Sequence, residues 1–134
     1  MRLSWNEIRA RAARFAEEWA GAKYERGEAQ SFYNDFFEVF GVKRRKVASF
    51  EEPVKLLGHA RGFIDLFWKG VLLVEQKSAG GSLKRARTQA LDYFPGLKDA
   101  ELPRYILVSD FQSFELHDLD EDSTERFTLA ELPR

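Results

Sequence analysis

The stretch FIDLFWKGVLLVEQKSAGG, Phe63 to Gly81, decides how this chain folds. Most of it reads as two apolar strands around a Lys69-Gly70 turn, yet Asp65, Glu75 and Lys77 interrupt the apolar pattern. A charge in a buried strand is costly unless something pairs with it or binds it. Register decides whether the three can cooperate. A two-residue turn at Lys69-Gly70 sets Asp65 against Val74 and leaves Glu75 on the opposite face. A three-residue loop, Trp68-Lys69-Gly70 with glycine in the left-handed third position, sets Asp65 against Leu73 instead. Glu75 then lies diagonally across from Asp65 on the same face, roughly 7–8 Å away, and Lys77 follows on that face.

Two close carboxylates repel unless a cation lies between them. Oxygen ligands with neither Cys nor a nearby His favour Mg²⁺, or Mn²⁺, over Zn²⁺. An ammonium beside such an ion can orient or deprotonate a water, and the combination suits phosphodiester hydrolysis. The spacing D-x(9)-E-x-K is loose, and it equally fits a salt-bridged surface hairpin with Lys77 paired to Glu75.

Outside the hairpin, Ser4-Trp-Asn-Glu7 is a capping-box pattern opening a helix to about Ala20, whose buried stripe is Ile8, Ala12, Phe15, Ala16 and Trp19. A second helix is expected from about Glu28 to Phe40, with Phe32, Phe36, Phe37 and Phe40 inward and Gly41 as its stop. Lys46–Phe50, Gly62–Trp68 and Val71–Ser78 read as strands. A helix follows from Leu83 to about Phe94, then strands Tyr105–Ser109 and Ser113–Asp118, and a further helix beginning at Thr128. A helix crossing between the third and fourth strands implies an α/β (α+β) domain, with a mixed central sheet of about five strands flanked by helices. In the crossing helix Arg85, Gln89 and Tyr93 share one face beside the apolar stripe Leu83, Ala86, Ala90 and Phe94.

The 134 residues are one domain's worth, 44% hydrophobic and 14% aromatic, with no apolar run near membrane-spanning length. The absence of cysteine excludes a disulfide scaffold and fits a reducing cytoplasm. Net charge is only −1, but Lys43-Arg44-Arg45-Lys46 and Lys84-Arg85-Ala86-Arg87 concentrate the positive charge. Each cluster suits a nucleic-acid backbone or a solvated surface equally well. The two histidines, His59 and His117, fit neither an HNH nor a zinc-ligand spacing.

Asp65…Glu75-Gln-Lys77 followed by Gln89-Ala-Leu-Asp-Tyr93 resembles the PD-(D/E)xK nuclease superfamily, and the Q-x-x-x-Y helix resembles its RecB-like members. More closely, GFIDLFWKGVLLVEQKSAG, QALDY, ELPRYILVSDFQSFELHDL and the preceding EAQSFYNDFFEVFG resemble the N-terminal endonuclease domain of MmeI-type (type IIL) restriction–modification enzymes, over about Glu28 to Asp118. The resemblance implies a restriction-endonuclease-like fold and a Mg²⁺-dependent (or Mn²⁺-dependent) deoxyribonuclease acting on double-stranded DNA. It implies Asp65 and Glu75 as metal ligands, Lys77 serving the attacking water, and Gln89 and Tyr93 supporting the site or the DNA. An early-helix carboxylate joins the metal in related nucleases, and Glu28, ahead of Glu38, is the candidate. Lys84, Arg85, Arg87, Arg44 and Arg45 would meet DNA phosphates without reading bases.

The methyltransferase and target-recognition domains of those enzymes are absent: there is no glycine-rich S-adenosylmethionine loop and no Asn-Pro-Pro-aromatic motif. The expectation is a single nuclease domain over 1–134, either a piece of a longer restriction–modification protein or a small stand-alone relative, with 1–25 as an N-terminal helical extension. Double-strand cutting would call for a transient second copy. Two other readings stay open: a nuclease-fold docking module without activity, and a RecB-like repair exonuclease.

Overall fold

The computed structural model describes residues 3–22, 25–56, 60–78 and 80–132, with the side chains of residues 25 and 26 also left aside; His59 lies outside them. Helices α1 (Trp5–Glu18) and α2 (Glu25–Val39) lead into a one-turn helix α3 (Arg44–Val47). Strands β1 (Ser49–Lys55), β2 (Arg61–Trp68) and β3 (Leu72–Gln76) follow, then helix α4 (Leu83–Asp92) and strands β4 (Tyr105–Ser109), β5 (Ser113–Asp118) and β6 (Ser123–Thr128). The six strands form one mixed sheet in chain order, antiparallel except where β3 runs parallel to β4. That parallel pair is bridged by α4, as the order of elements requires.

The helices lie on opposite faces. Against α1 and α2 pack Leu66, Val74, Leu107 and Phe114, around an aromatic cluster of Phe15, Phe32 and Phe111. Against α4 pack Val54, Ile64, Phe67, Leu73, Ile106 and Val108, meeting Ala86, Ala90 and Tyr93. Small residues at 86 and 90 let α4 sit close to the sheet. Helix α1 begins at the Ser4 cap, whose hydroxyl accepts from the Glu7 amide at 3.1 Å. Its Ala12 and Phe15 are buried in the core.

Four expectations need correction. The strand expected at Lys46–Phe50 starts at Ser49, because the preceding basic residues wind into α3 and Ala48 bonds back to the Arg44 carbonyl. It continues through Pro53, tolerated because β1 is an edge of the sheet. Phe40 is 42% exposed: α2 ends at Val39, and the Phe40 ring lies edge-on to Phe36. A sixth strand, β6, replaces part of the expected loop. Its residues STERFT are nearly all exposed, so no apolar alternation announced it. The helix expected from Thr128 is a single 3₁₀ turn, Leu129–Glu131.

The β2–β3 register differs from both readings of the sequence, by one step from the two-residue turn and by two steps from the three-residue loop. Trp68 pairs with Leu72, so the loop is Lys69-Gly70-Val71. Gly70 takes φ +76° at its second position, where the Val71 amide closes a turn on the Trp68 carbonyl at 2.9 Å. Pairing continues through Leu66–Val74. Extended by one step, that register sets Asp65 directly opposite Glu75.

Candidate active site

At Asp65 the sheet changes its side-chain alternation. Leu66, and Phe50 opposite it, face α1 and α2, whereas Ile64, and Val54 further along β1, face α4. Two even-numbered neighbours of one residue on opposite faces require a local irregularity. It falls at Asp65 on β2 and at Glu51 on β1, whose φ is +49°. Neither residue has a ladder partner in the otherwise continuous β1–β2 register.

Freed from the ladder, Asp65 bonds through its side chain. Its Oδ2 accepts the Gln76 amide at 2.8 Å, and its own amide lies 3.5 Å from Glu75 Oε1. Glu75 is 1% exposed, and burial, reinforced by the Asp65 charge, pushes its carboxyl up to about 8. Burial likewise raises Asp65, against the opposing effects of the Gln76 amide and the Lys77 charge. The pair therefore retains a proton near neutral pH unless a cation takes its place.

Lys77 extends the same face of β3. Its Nζ donates to Gln89 Oε1 at 2.9 Å; Gln89 Nε2 donates to the Tyr93 hydroxyl at 3.0 Å; Tyr93 donates to the Phe63 carbonyl at 2.8 Å. Burial, reinforced by the Glu75 charge, holds the Tyr93 hydroxyl well above the usual phenol range. Tyr93 passes close over Gly62, where an added Cβ would lie 2.9 Å from its Cε1. This relay ties α4 to both strands of the hairpin and fixes the direction of the lysine.

On the other face, Gln76 is buried, accepts from the Tyr33 hydroxyl of α2 and donates to the Lys77 carbonyl at 3.0 Å. A cleft of about 510 Å³ opens there, lined by Ala29, Gln30, Tyr33, Glu51, Asp65 and Gln76. Asp65 opens on this cleft with the buried Glu75 beside it, and such oxygen donors suit a hard divalent cation, which binds through one or two carboxylates and keeps several waters. No cluster of three His, Cys, Asp or Glu able to hold a metal occurs among the described residues.

The family model of the MmeI N-terminal domain matches residues 10–134. The chain belongs to the MmeI N-terminal domain family. It is thus a restriction-enzyme-related domain. Among solved structures it is similar to a chain of a cryo-EM DrdV–DNA complex, with a TM-score of 0.57 and 14% identity over 96% of this chain. It spans only 13% of that chain's length. No curated protein matches.

In this MmeI N-terminal domain the remaining candidate residues scatter. Glu28 lines a different cavity, with Trp19, Ala22 and Asp35, and Glu38 is exposed near the far end of α2, its carbonyl held by Arg11. Tyr93, expected to support the site or the DNA, is 2% exposed and serves the relay from below. Arg44 is committed internally: it bonds Asn34 and the Ala48 carbonyl, and lies 4.1 Å over the Phe50 ring. Arg45, Lys84, Arg85 and Arg87 are exposed. Arg85 shares the Gln89 face, while the Arg87 charge is felt at His117 on β5. His117 is buried with its Nδ1 2.8 Å from Thr124 Oγ1.

The sequence reading passed over Gln76, Tyr33 and Glu51. Gln76 was detectable as a polar residue alternating with Glu75 and Lys77 inside a buried strand. Tyr33 carried a hydroxyl within an aromatic helix face. Glu51 carried no signal. Among the described residues no helix is long and apolar enough to cross a membrane.

Proposed function

We propose that this domain is a metal-dependent DNA endonuclease domain that hydrolyses phosphodiester bonds at Asp65, Glu75 and Lys77. One observation carries the reading: a buried carboxyl pair, sharing negative charge that calls for a cation, beside a lysine held by Gln89. Membership of the MmeI N-terminal domain family supports it, and DNA is the partner in the DrdV structure.

Asp65 and Glu75 would hold Mg²⁺, or Mn²⁺, which when bound supplies a polarised phosphate and a more acidic water. Asp65 is oriented for this by the Gln76 amide. Lys77 hydrogen-bonds the attacking water and compensates charge building on the phosphate. Attack forms the new P–O bond as the bridging P–O bond breaks and the leaving oxygen takes up a proton. Gln89 holds the ammonium in place by the hydrogen bond it accepts. Arg85, Lys84, Arg87 and Arg45 would meet backbone phosphates, which gives salt-dependent binding with little base preference.

Nicking and linearisation of supercoiled plasmid in Mg²⁺ against EDTA test the reading. Lys77→Ala is expected to lower the rate by about 100-fold or more while leaving the circular-dichroism melt unchanged, since Lys77 makes one side-chain hydrogen bond in the fold. Cleavage at the wild-type rate by that variant, or in EDTA, would refute it.

A further inference from the structure

Beyond the carboxyl pair, the outer half of the β1–β2 hairpin carries a surface that the fold does not use. With Val54, Gly62 and Ile64 turned toward α4, the alternate positions Pro53, Lys55, Arg61 and Phe63 face the other side of the sheet, and all four are exposed. Pro53 pairs across the strands with Phe63, and Lys55 with Arg61. Phe63 is 52% exposed, more than any other phenylalanine described. Neither Lys55 nor Arg61 has an ion-pair partner among the described residues.

The position of this patch gives it a role. Phe63 precedes Asp65 by two residues on one strand, about 7 Å at strand rise. Its face of the sheet is the one on which the Asp65 cleft opens. The Phe63 carbonyl, moreover, is the end of the Lys77–Gln89–Tyr93 relay, so its backbone is fixed relative to the candidate chemistry. A planar apolar ring next to a side-by-side pair of cations complements a nucleic-acid strand, whose bases stack and whose phosphates are anionic.

We infer that this hairpin face positions the cut strand: Phe63 stacks against one unpaired base next to the scissile phosphate, and Arg61 and Lys55 together neutralise the phosphates on the side of that base away from Asp65. The inference rests on the nuclease reading above.

Fluorescence anisotropy of a short labelled oligothymidylate with the 134-residue chain in EDTA tests it, alongside plasmid cleavage in Mg²⁺. Phe63→Ala and Phe63→Leu should both bind roughly 5- to 150-fold more weakly, and Phe63→Trp should bind at least as well as wild type. Lys55→Ala with Arg61→Ala should lower the slope of log K against log salt by about 1.4. Equal binding by wild type, Phe63→Ala and Phe63→Leu overturns the inference, as does Leu performing like Phe, which would mean apolar cover and not stacking. A wild-type chain that cuts plasmid but does not bind the oligonucleotide overturns it while leaving the nuclease reading standing. A chain that does neither overturns both.

Discussion

Glu75→Gln should change how the stability of this domain responds to pH. Folded Glu75 holds its proton up to about pH 8, whereas the same group in the unfolded chain releases it near the ordinary 4.5. Across that window the native state binds more protons than the unfolded one, so stability falls as pH rises. Each pH unit costs about 1.4 kcal/mol, and the full window about 4–5 kcal/mol. Asp65 is raised too, but the pair shares a proton, so the total stays near that of one group. Against the roughly 5–15 kcal/mol of a typical domain this is a large fraction.

Urea unfolding followed by tryptophan fluorescence, in EDTA from pH 5 to 8.5, measures it. Wild type should lose most of this stability by the upper end. Glu75→Gln, which cannot ionise, should show a nearly flat profile and be the more stable protein at pH 8. Adding Mg²⁺ should restore the wild type at high pH and do little for the variant. A wild-type profile flat across the range, or one equally steep in both proteins, would show that Glu75 is not held protonated by its burial beside Asp65.

Two further outcomes concern the relay. Tyr93→Phe removes a hydroxyl that bonds Gln89 and the Phe63 carbonyl, so it should cost about 1–3 kcal/mol in urea unfolding. It should also slow cleavage, and an unchanged rate would mean that Lys77 needs no such support. Gly62→Ala drives a methyl against the Tyr93 ring and should destabilise by about 1–3 kcal/mol. Pairing it with Tyr93→Ala should recover part of that loss, and simple additivity would place the strain elsewhere.

The alternation of β2 and β3, the crossing helix and the aromatic layer of α2 were all legible, because each writes a periodic apolar signal into the sequence. So was the company of Asp65, Glu75 and Lys77. The register was not. Loop length alone leaves several pairings open, and the pairing adopted depends on Gly70 accepting φ +76° in the middle of the loop and on Glu101 receiving the Gly70 amide from 31 residues away (101 − 70). Strand β6 escaped notice because an exposed edge needs no apolar face. The slip at Glu51 and Asp65 was equally hidden, since it arises where two strands serve different cores and no single residue type encodes it.

That slip has a consequence for assembly. The hairpin spends its inner half on one hydrophobic layer and its outer half on the other, and Asp65 stands at the changeover. Packing on each layer fixes one side of that residue, so the placing of its carboxyl beside Glu75 draws on both layers at once. Loosening either α4 or the α1–α2 layer is therefore expected to disturb the carboxyl pair, which couples the proposed chemistry to the integrity of two separate cores.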